Sequence, residues 1–355
     1  MSSLETLIDH LLTSDRLPYP VSAQIDPVGN LCQLRCPLCP VGARIITDDR
    51  RIMPLDTFTT ILDKMPFLRT IELYRSGEPF LNPELPAMIR YASDRNIKVV
   101  TSTHFSFFKP DEFFEGLVAS GLDTLVVSLD GASPETYSRY RIGGDYELVL
   151  ANIRNLLAAR EKARSKTPRI IWQFLVNRYN EHEIAAARSM ASDLKIVLDL
   201  RPISLGDNEP DVRHKCTDIE ERKHAWLPED QTYVDDCYKG DYRYPLFRGM
   251  CHQLFTRVVL MADGAVLPCC EARNRESAFG SLLEESFEEI WYGAAYRDAR
   301  MRALNIKTTP EIQSVCYKCT NFGTAPSLRE KLQLLLLVYR KTLRNFGRKR
   351  PPVPR

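Results

Sequence analysis

The chain has 355 residues, 44% of them hydrophobic and 26% charged, with a formal net charge of +2. That composition is ordinary for a soluble globular enzyme, long enough for one large domain or a large one with a small one, and its near-neutral balance points to no nucleic-acid partner. The N-terminus has acidic residues early and no apolar core before a cleavage site, and the longest apolar run, Leu334 to Val338, is far short of the ~20 residues that cross a bilayer, so the cytoplasm is the expected compartment.

Residues 1–19 read as a helical extension. From residue 20 to 203 short β-like runs alternate with helical patterns. Strands are expected at 21–28, 69–77, 97–103, 122–131, 169–177 and 195–203, and helices at 55–65, 84–95, 110–121, 146–164 and 181–193. Such alternation argues for a parallel sheet with helices outside, and about six units are too few for a closed eight-unit barrel. The expected fold is α/β, a partial (β/α)6 TIM-like barrel. Chemistry in such folds sits in loops after the strands, where "CQLRCPLC", "SGEP" and "SLDG" all fall. Residues 204–250 turn polar and lose periodicity, which suits a connecting or capping segment. Residues 251–323 hold most of the remaining cysteines, as a small auxiliary domain, and 324–355 form a C-terminal helix with a basic tail.

Ten cysteines are many for a reducing compartment, where metal or redox ligands are a better reading than disulfides. Cys32, Cys36 and Cys39 lie within eight positions, with no fourth thiol or histidine nearby. A structural zinc site wants four closed ligands, and none is in local reach. Three thiolates suit three irons of a [4Fe–4S] cube and leave the fourth open to a small-molecule ligand.

On these residues, with Ser76-Gly77-Glu78-Pro79 after the second strand and "SLDG" after the fourth, the chain resembles the radical S-adenosylmethionine (SAM) superfamily over residues 20–203. The resemblance implies that Cys32, Cys36 and Cys39 hold the cluster and that SAM chelates its open iron. SAM would then be cleaved to methionine and a 5′-deoxyadenosyl radical that takes a hydrogen atom from a C–H bond. Gly77 would allow a close backbone approach, and Glu78 would accept hydrogen bonds from the SAM ammonium. Ser76 stands where the family has a first glycine. Ser128 and Asp130 would face the ribose and amino-acid part, with Thr101 and Thr103 as further ribose candidates. Arg141 would pair with the SAM carboxylate. Leu38 stands where the family commonly has an aromatic. Strand-end capping and turn chemistry is the alternative reading of Ser128, Thr101 and Asp130.

Cys251, Gly264, Cys269 and the pair Cys316 and Cys319 resemble a SPASM/Twitch auxiliary domain, with a hairpin turning at Asp263-Gly264. This implies one auxiliary [4Fe–4S] cluster on Cys251, Cys269, Cys316 and Cys319. Ligand spacing alone leaves a four-cysteine zinc ribbon open. Cys269 rather than Cys270 is expected as the ligand, since neighbouring strand residues point to opposite faces.

Cys216, Cys237 and Cys270 remain. They are either small hydrophobes or hydrogen-atom donors to a substrate radical, which would give epimerisation instead of oxidation. His214, His224 and Asp236 are candidate bases or ordinary surface residues. The tail 324–355 has nine basic residues and one acidic, a net +8 that leaves −6 for the rest. Its leucines at helical spacing predict a docked helix, with weak contact to an anionic membrane or acidic partner as the alternative.

The expected substrate is a small sugar- or aminocyclitol-like molecule, oxidised or epimerised, with an external electron donor such as flavodoxin or ferredoxin. A peptide-modifying maturase is the alternative. Residues 1–19 leave no room for the leader-binding domain such maturases often carry. A non-catalytic zinc or iron–sulfur scaffold is the reading from another class.

Overall fold

The computed structural model describes residues 3–47, 49–206, 218–235, 238–239, 251–306, 314–317, 319 and 325–346. The chain opens with helix α1 (Ser3–Thr13) and strand β1 (Ser22–Ile25). Strand–helix units follow in order: α2 (Leu55–Asp63), β2 (Thr70–Glu72), α3 (Leu85–Ser93), β3 (Lys98–Thr103), α4 (Asp111–Ala119), β4 (Thr124–Ser128). Then come α5 (Pro134–Tyr140), α6 (Tyr146–Lys162), β5 (Arg169–Val176), α7 (Ile184–Asp193) and β6 (Val197–Pro202).

Strands β1 to β6 are all parallel and lie side by side in chain order. Apolar residues recur on the inward stripe of each helix, for example Leu85, Met88, Ile89 and Ala92 on α3, and this stripe covers the sheet. Side chains cap two of these helices. Ser133 accepts from the Thr136 amide at the start of α5, and Asp145 from the Leu148 amide at the start of α6. All six expected strands are present, each one to six residues shorter than its expected range. Helix α5 is too short to show a helical period, and the sequence did not single it out.

Beyond residue 206 lie helices α8 (Ile219–Trp226) and α9 (Gln253–Thr256). A hairpin follows, β7 (Val258–Leu260) and β8 (Ala265–Leu267), and then the short β9 (Gly280–Ser281). Gly264 sits at its turn with φ +82°, a backbone conformation glycine adopts without penalty. Strand β7 pairs with β1, Ala23 against Val258 and Ile25 against Leu260. The described strands therefore form one nine-stranded sheet in the order β6-β5-β4-β3-β2-β1-β7-β8-β9.

Helices α10 (Phe287–Trp291), α11 (Ala294–Ala303) and α12 (Leu328–Phe346) complete the chain. Helix α12 docks on α1. The buried Lys331 ammonium reaches Asp9 at 2.9 Å and Glu5 at 3.1 Å, and the Tyr339 hydroxyl donates to the Arg16 carbonyl. Leu328, Leu332 and Leu336 stay exposed. Among the described residues no helix is long and apolar enough to cross a membrane.

Candidate active site

Strand β1 ends at Ile25 and the chain turns at once. The Asp26 carboxylate accepts N–H bonds from Val28 at 3.3 Å and Gly29 at 3.0 Å, an Asx turn that starts the cysteine loop. Two glycines hold that loop. A Cβ on Gly42 would lie 2.6 Å from the Cys36 amide nitrogen. One on Gly77 would lie 2.2 Å from the Leu31 carbonyl oxygen and 2.7 Å from that of Gly29. The Glu78 amide donates to the same Leu31 carbonyl at 2.7 Å. The turn after β2 is thus laid directly on the cysteine loop, and what Gly77 lets in is this loop.

Cys32, Cys36 and Cys39 share one cavity of about 530 Å³, measured to its open mouth. Burial pushes the Cys32 thiol up to about 12. Burial also pushes Cys36 up, and the Arg141 guanidinium opposes it. The opposite wall comes from the ends of β2, β3 and β4: Tyr74, Arg75, Ser76 and Glu78, then Ser102, Thr103 and His104, then Ser128.

Glu78 is 2% exposed. Its Oε1 accepts from the Phe80 amide at 3.2 Å and its Oε2 from the His104 amide at 2.8 Å. Burial pushes the carboxyl up to about 7 against these N–H bonds. The His104 ring lies 3.4 Å away but carries no charge, because burial and then the Arg141 charge push it down to about 3. Its Nδ1 accepts from the Ser106 amide and its Nε2 lies 3.0 Å from Gln33 Oε1, so the proton sits on Nε2. Among the described residues no lysine or arginine forms an ion pair with Glu78. This is a buried carboxylate without a cation, at the edge of a cavity.

Arg141 ends α5 and enters the same cavity. Its Nε donates to Asp130 Oδ2 at 2.6 Å, and its Nη1 lies 3.7 Å from Cys36 Sγ. Asp130 is fully buried, and its other oxygen accepts from the Leu175 amide at 2.7 Å. Both oxygens are thus held by the protein. Asp130 holds Arg141 and is not among the residues lining the cavity. Thr101 is likewise not among them. It is fully buried, and its hydroxyl donates to the Leu73 carbonyl. Ser76, Gly77, Glu78, Thr103, Ser128 and Arg141 do line the cavity. The sequence reading missed Tyr74, Arg75, Ser102 and His104, which carry no motif and follow from strand register alone.

A second thiol group lies beyond the hairpin. Cys251 precedes α9, Cys269 follows β8, and Cys316 sits in a short 3-10 turn with Cys319 just after it. Burial pushes Cys251 up to about 11, Cys316 up to about 12 and Cys269 up as well. Neighbouring thiols add to each shift: Cys251, Cys270 and Cys316 at Cys269, Cys319 at Cys251, and both Cys251 and Cys319 at Cys316. These thiols therefore lie in one neighbourhood. Cys270 has polar partners of its own there. Its Sγ accepts from Gln253 Nε2 at 3.4 Å, and its charge is felt at Tyr74 and Arg75 on the cavity wall. Cys216, Cys237, His214 and Asp236 lie outside the described residues, and His224 is exposed on α8.

The radical SAM superfamily model matches residues 27–171, from the cysteine loop into β5. The chain carries a radical SAM domain. A second model, the iron-sulfur cluster-binding SPASM domain, matches residues 251–320 and takes in all four thiols of the second group. The chain is similar to an AdoMet-dependent heme synthase of Methanosarcina barkeri, at 29% identity over 51% of each chain. It thus spans about half the length of that relative. It is 24% identical to the mycofactocin maturase MftC of Mycolicibacterium smegmatis, over 82% of this chain and 73% of the other. Among solved structures it shares the fold of Streptococcus suis SuiB bound to precursor peptide SuiA. The TM-score there is 0.55 at 16% identity, over 78% of this chain and 65% of the other.

A radical SAM domain binds SAM and a [4Fe–4S] cluster, and a SPASM domain binds auxiliary iron–sulfur clusters. The residues present suit these groups. Among the described residues three thiols and no fourth cysteine line one cavity, and Glu78 lies beside them as a buried carboxylate with amide donors but no ion-paired lysine or arginine. In the second region Cys251, Cys269, Cys316 and Cys319 feel one another's charge in part, the donor type an iron–sulfur cluster takes.

Proposed function

We propose that this protein is a radical SAM oxidoreductase or epimerase acting on a C–H bond of a sugar- or aminocyclitol-like metabolite. When bound, the cluster and SAM supply a one-electron reductive cleavage whose radical product takes a hydrogen atom from an unactivated carbon. Cys32, Cys36 and Cys39 hold the cluster. Glu78 accepts from the SAM ammonium, and Arg141, kept in place by Asp130, meets the SAM carboxylate. Ser76, Gly77, Thr103 and Ser128 complete the SAM site. Cys251, Cys269, Cys316 and Cys319 hold one auxiliary cluster. The charge and hydroxyls of Tyr74, Arg75 and Ser102 suit a hydroxyl-rich substrate. Cys270, near Tyr74 and Arg75, is the described candidate for returning a hydrogen atom. An external flavodoxin or ferredoxin supplies the electron.

The single observation that carries this reading is Glu78, a buried carboxylate with no cation beside three thiols. The test is anaerobic reconstitution with reductant and SAM. We expect about eight irons per chain and 5′-deoxyadenosine, lost in Cys32→Ala. Zinc in place of iron, or no deoxyadenosine from the intact protein with candidate substrates, would sink the proposal. Deuterium uptake from solvent into the product would assign epimerisation, and an oxidised product without uptake would assign dehydrogenation. A peptide substrate is the second reading, favoured by the similarity to MftC.

A further inference from the structure

Beside the second thiol group, buried side chains hold polar atoms that the chain leaves unmatched. Among the described residues Trp291 Nε1, Tyr296 Oη, Asp298 Oδ2 and Arg300 Nη2 are buried with no hydrogen-bond partner. Trp291 ends α10, and the other three lie on α11. All but Asp298 can donate. Buried donors are nearly always paired, so a local excess of them points to an acceptor that the chain itself does not supply.

Helix α11 is fastened to the segments that carry the thiols. Arg300 Nε donates to the Leu254 carbonyl on α9, just after Cys251, at 3.1 Å. The hydroxyl of Tyr317, next to Cys316, donates to Asp298 Oδ1 at 3.1 Å. On the same helix Tyr296 is fully buried, with its ring edge-on to Phe279. The Arg300 guanidinium lies over two rings, 4.7 Å from the centre of Tyr296 and 4.0 Å from that of Trp291. Burial pushes Arg300 down to about 9, so it keeps its charge at neutral pH.

The charges that reach the Tyr296 hydroxyl fit the missing acceptor. Burial raises this hydroxyl, Arg300 opposes the rise, and Cys269 and then Cys316 add to it. Both thiols belong to the proposed ligand set. The sulfurs of an iron–sulfur cluster accept hydrogen bonds, and such bonds raise its potential because they stabilise the more negative, reduced form.

We propose that Tyr296 sets the reduction potential of the auxiliary cluster: its hydroxyl donates to a ligand sulfur, that of Cys269 or Cys316, and Arg300 stacked on its ring adds positive charge, so that the cluster is easier to reduce. This rests on the reading that Cys251, Cys269, Cys316 and Cys319 hold that cluster.

The test uses the full chain after anaerobic reconstitution, in a redox titration followed by electron paramagnetic resonance. The auxiliary signal is the one that survives Cys32→Ala. In Tyr296→Phe, at a fixed ambient potential, the ratio of reduced to oxidised auxiliary cluster is expected to fall about fivefold. Iron content and the SAM-site signal are expected to hold. Tyr292→Phe removes a hydroxyl already bonded to the Leu17 carbonyl, and is expected to leave the potential where it is. An unmoved or raised potential in Tyr296→Phe, with iron intact, would overturn this inference alone and leave the cluster reading standing. An equal shift in Tyr292→Phe would overturn it as well, marking a general effect of packing. So would loss of iron in Tyr296→Phe, which would make the residue structural. Zinc in the second site of the wild-type protein would overturn the inference and the cluster reading together.

Discussion

Arg141 ties Asp130 to Cys36, with its Nε 2.6 Å from one carboxylate oxygen and its Nη1 3.7 Å from the thiol sulfur. The pair is enclosed, and Asp130 shows no exposed surface. Two residues that look like separate ligand contacts in the sequence act in series, the carboxylate aiming the cation.

Asp130→Asn should therefore act through Arg141. Breaking a buried ion pair from one side costs about 3 kcal/mol. Denaturant melts should show that loss, and SAM affinity by calorimetry should fall with it. Arg141→Lys keeps the charge but not the fork geometry, and should weaken SAM binding more than it lowers stability.

Glu78 sets a pH dependence. Burial raises its carboxyl to about 7 in the ligand-free fold, above the ordinary 4.5. A raised acid contributes stability that is present below pH 4.5 and is lost as pH rises through about 7. The SAM ammonium favours the charged form. The thermal shift produced by saturating SAM should thus be larger at pH 8 than at pH 6. Glu78→Gln should flatten that difference.

Gly77→Ala should unseat the cysteine loop. The new Cβ would meet the Leu31 and Gly29 carbonyls, and backbone cannot move aside as a flexible side chain can. Iron analysis should fall from about eight to about four per chain, because only the SAM-site cluster is lost.

The adjacent cysteines should separate. Cys269 lies among the other thiols of the second site, and Cys270 bonds Gln253 instead. Cys269→Ala should halve the iron content, and Cys270→Ala should keep it. Equal losses would mean that Cys270 is a ligand too.

Lys331→Ala should loosen the docking of α12. The change leaves Asp9 buried without its cation, at about 3 kcal/mol. Hydrogen exchange in α12 and α1 should rise together while iron content holds.

Much of this site was legible in the sequence because its chemistry is local. Cys32, Cys36 and Cys39 fall in one loop, so their spacing alone argues for a three-thiol site. The strands could be placed because short runs rich in β-branched residues, such as "TLVVS", are bounded by turn residues. Gly264 could be placed because a hairpin turn needs a positive φ. The distant set Cys251, Cys269, Cys316 and Cys319 could be grouped by pattern, though its closeness in space is a property of the fold.

The tertiary structure alone decided which polar groups face the cavity. Thr101 and Thr103 have the same side chain on the same strand, yet one donates to a neighbouring strand and the other lines the site. Asp130 reads as a ligand until Leu175 and Arg141 take both of its oxygens. Arg75 and Arg273, 198 positions apart, meet because β7 adds to β1 and carries the SPASM loop back over the end of β2. The physical reason is the range of the interactions. Thiol spacing, turn conformation and apolar runs are set within a few residues of chain. The partners of a buried charge are set by register and by which strand lies beside which, and those emerge only when the sheet is assembled.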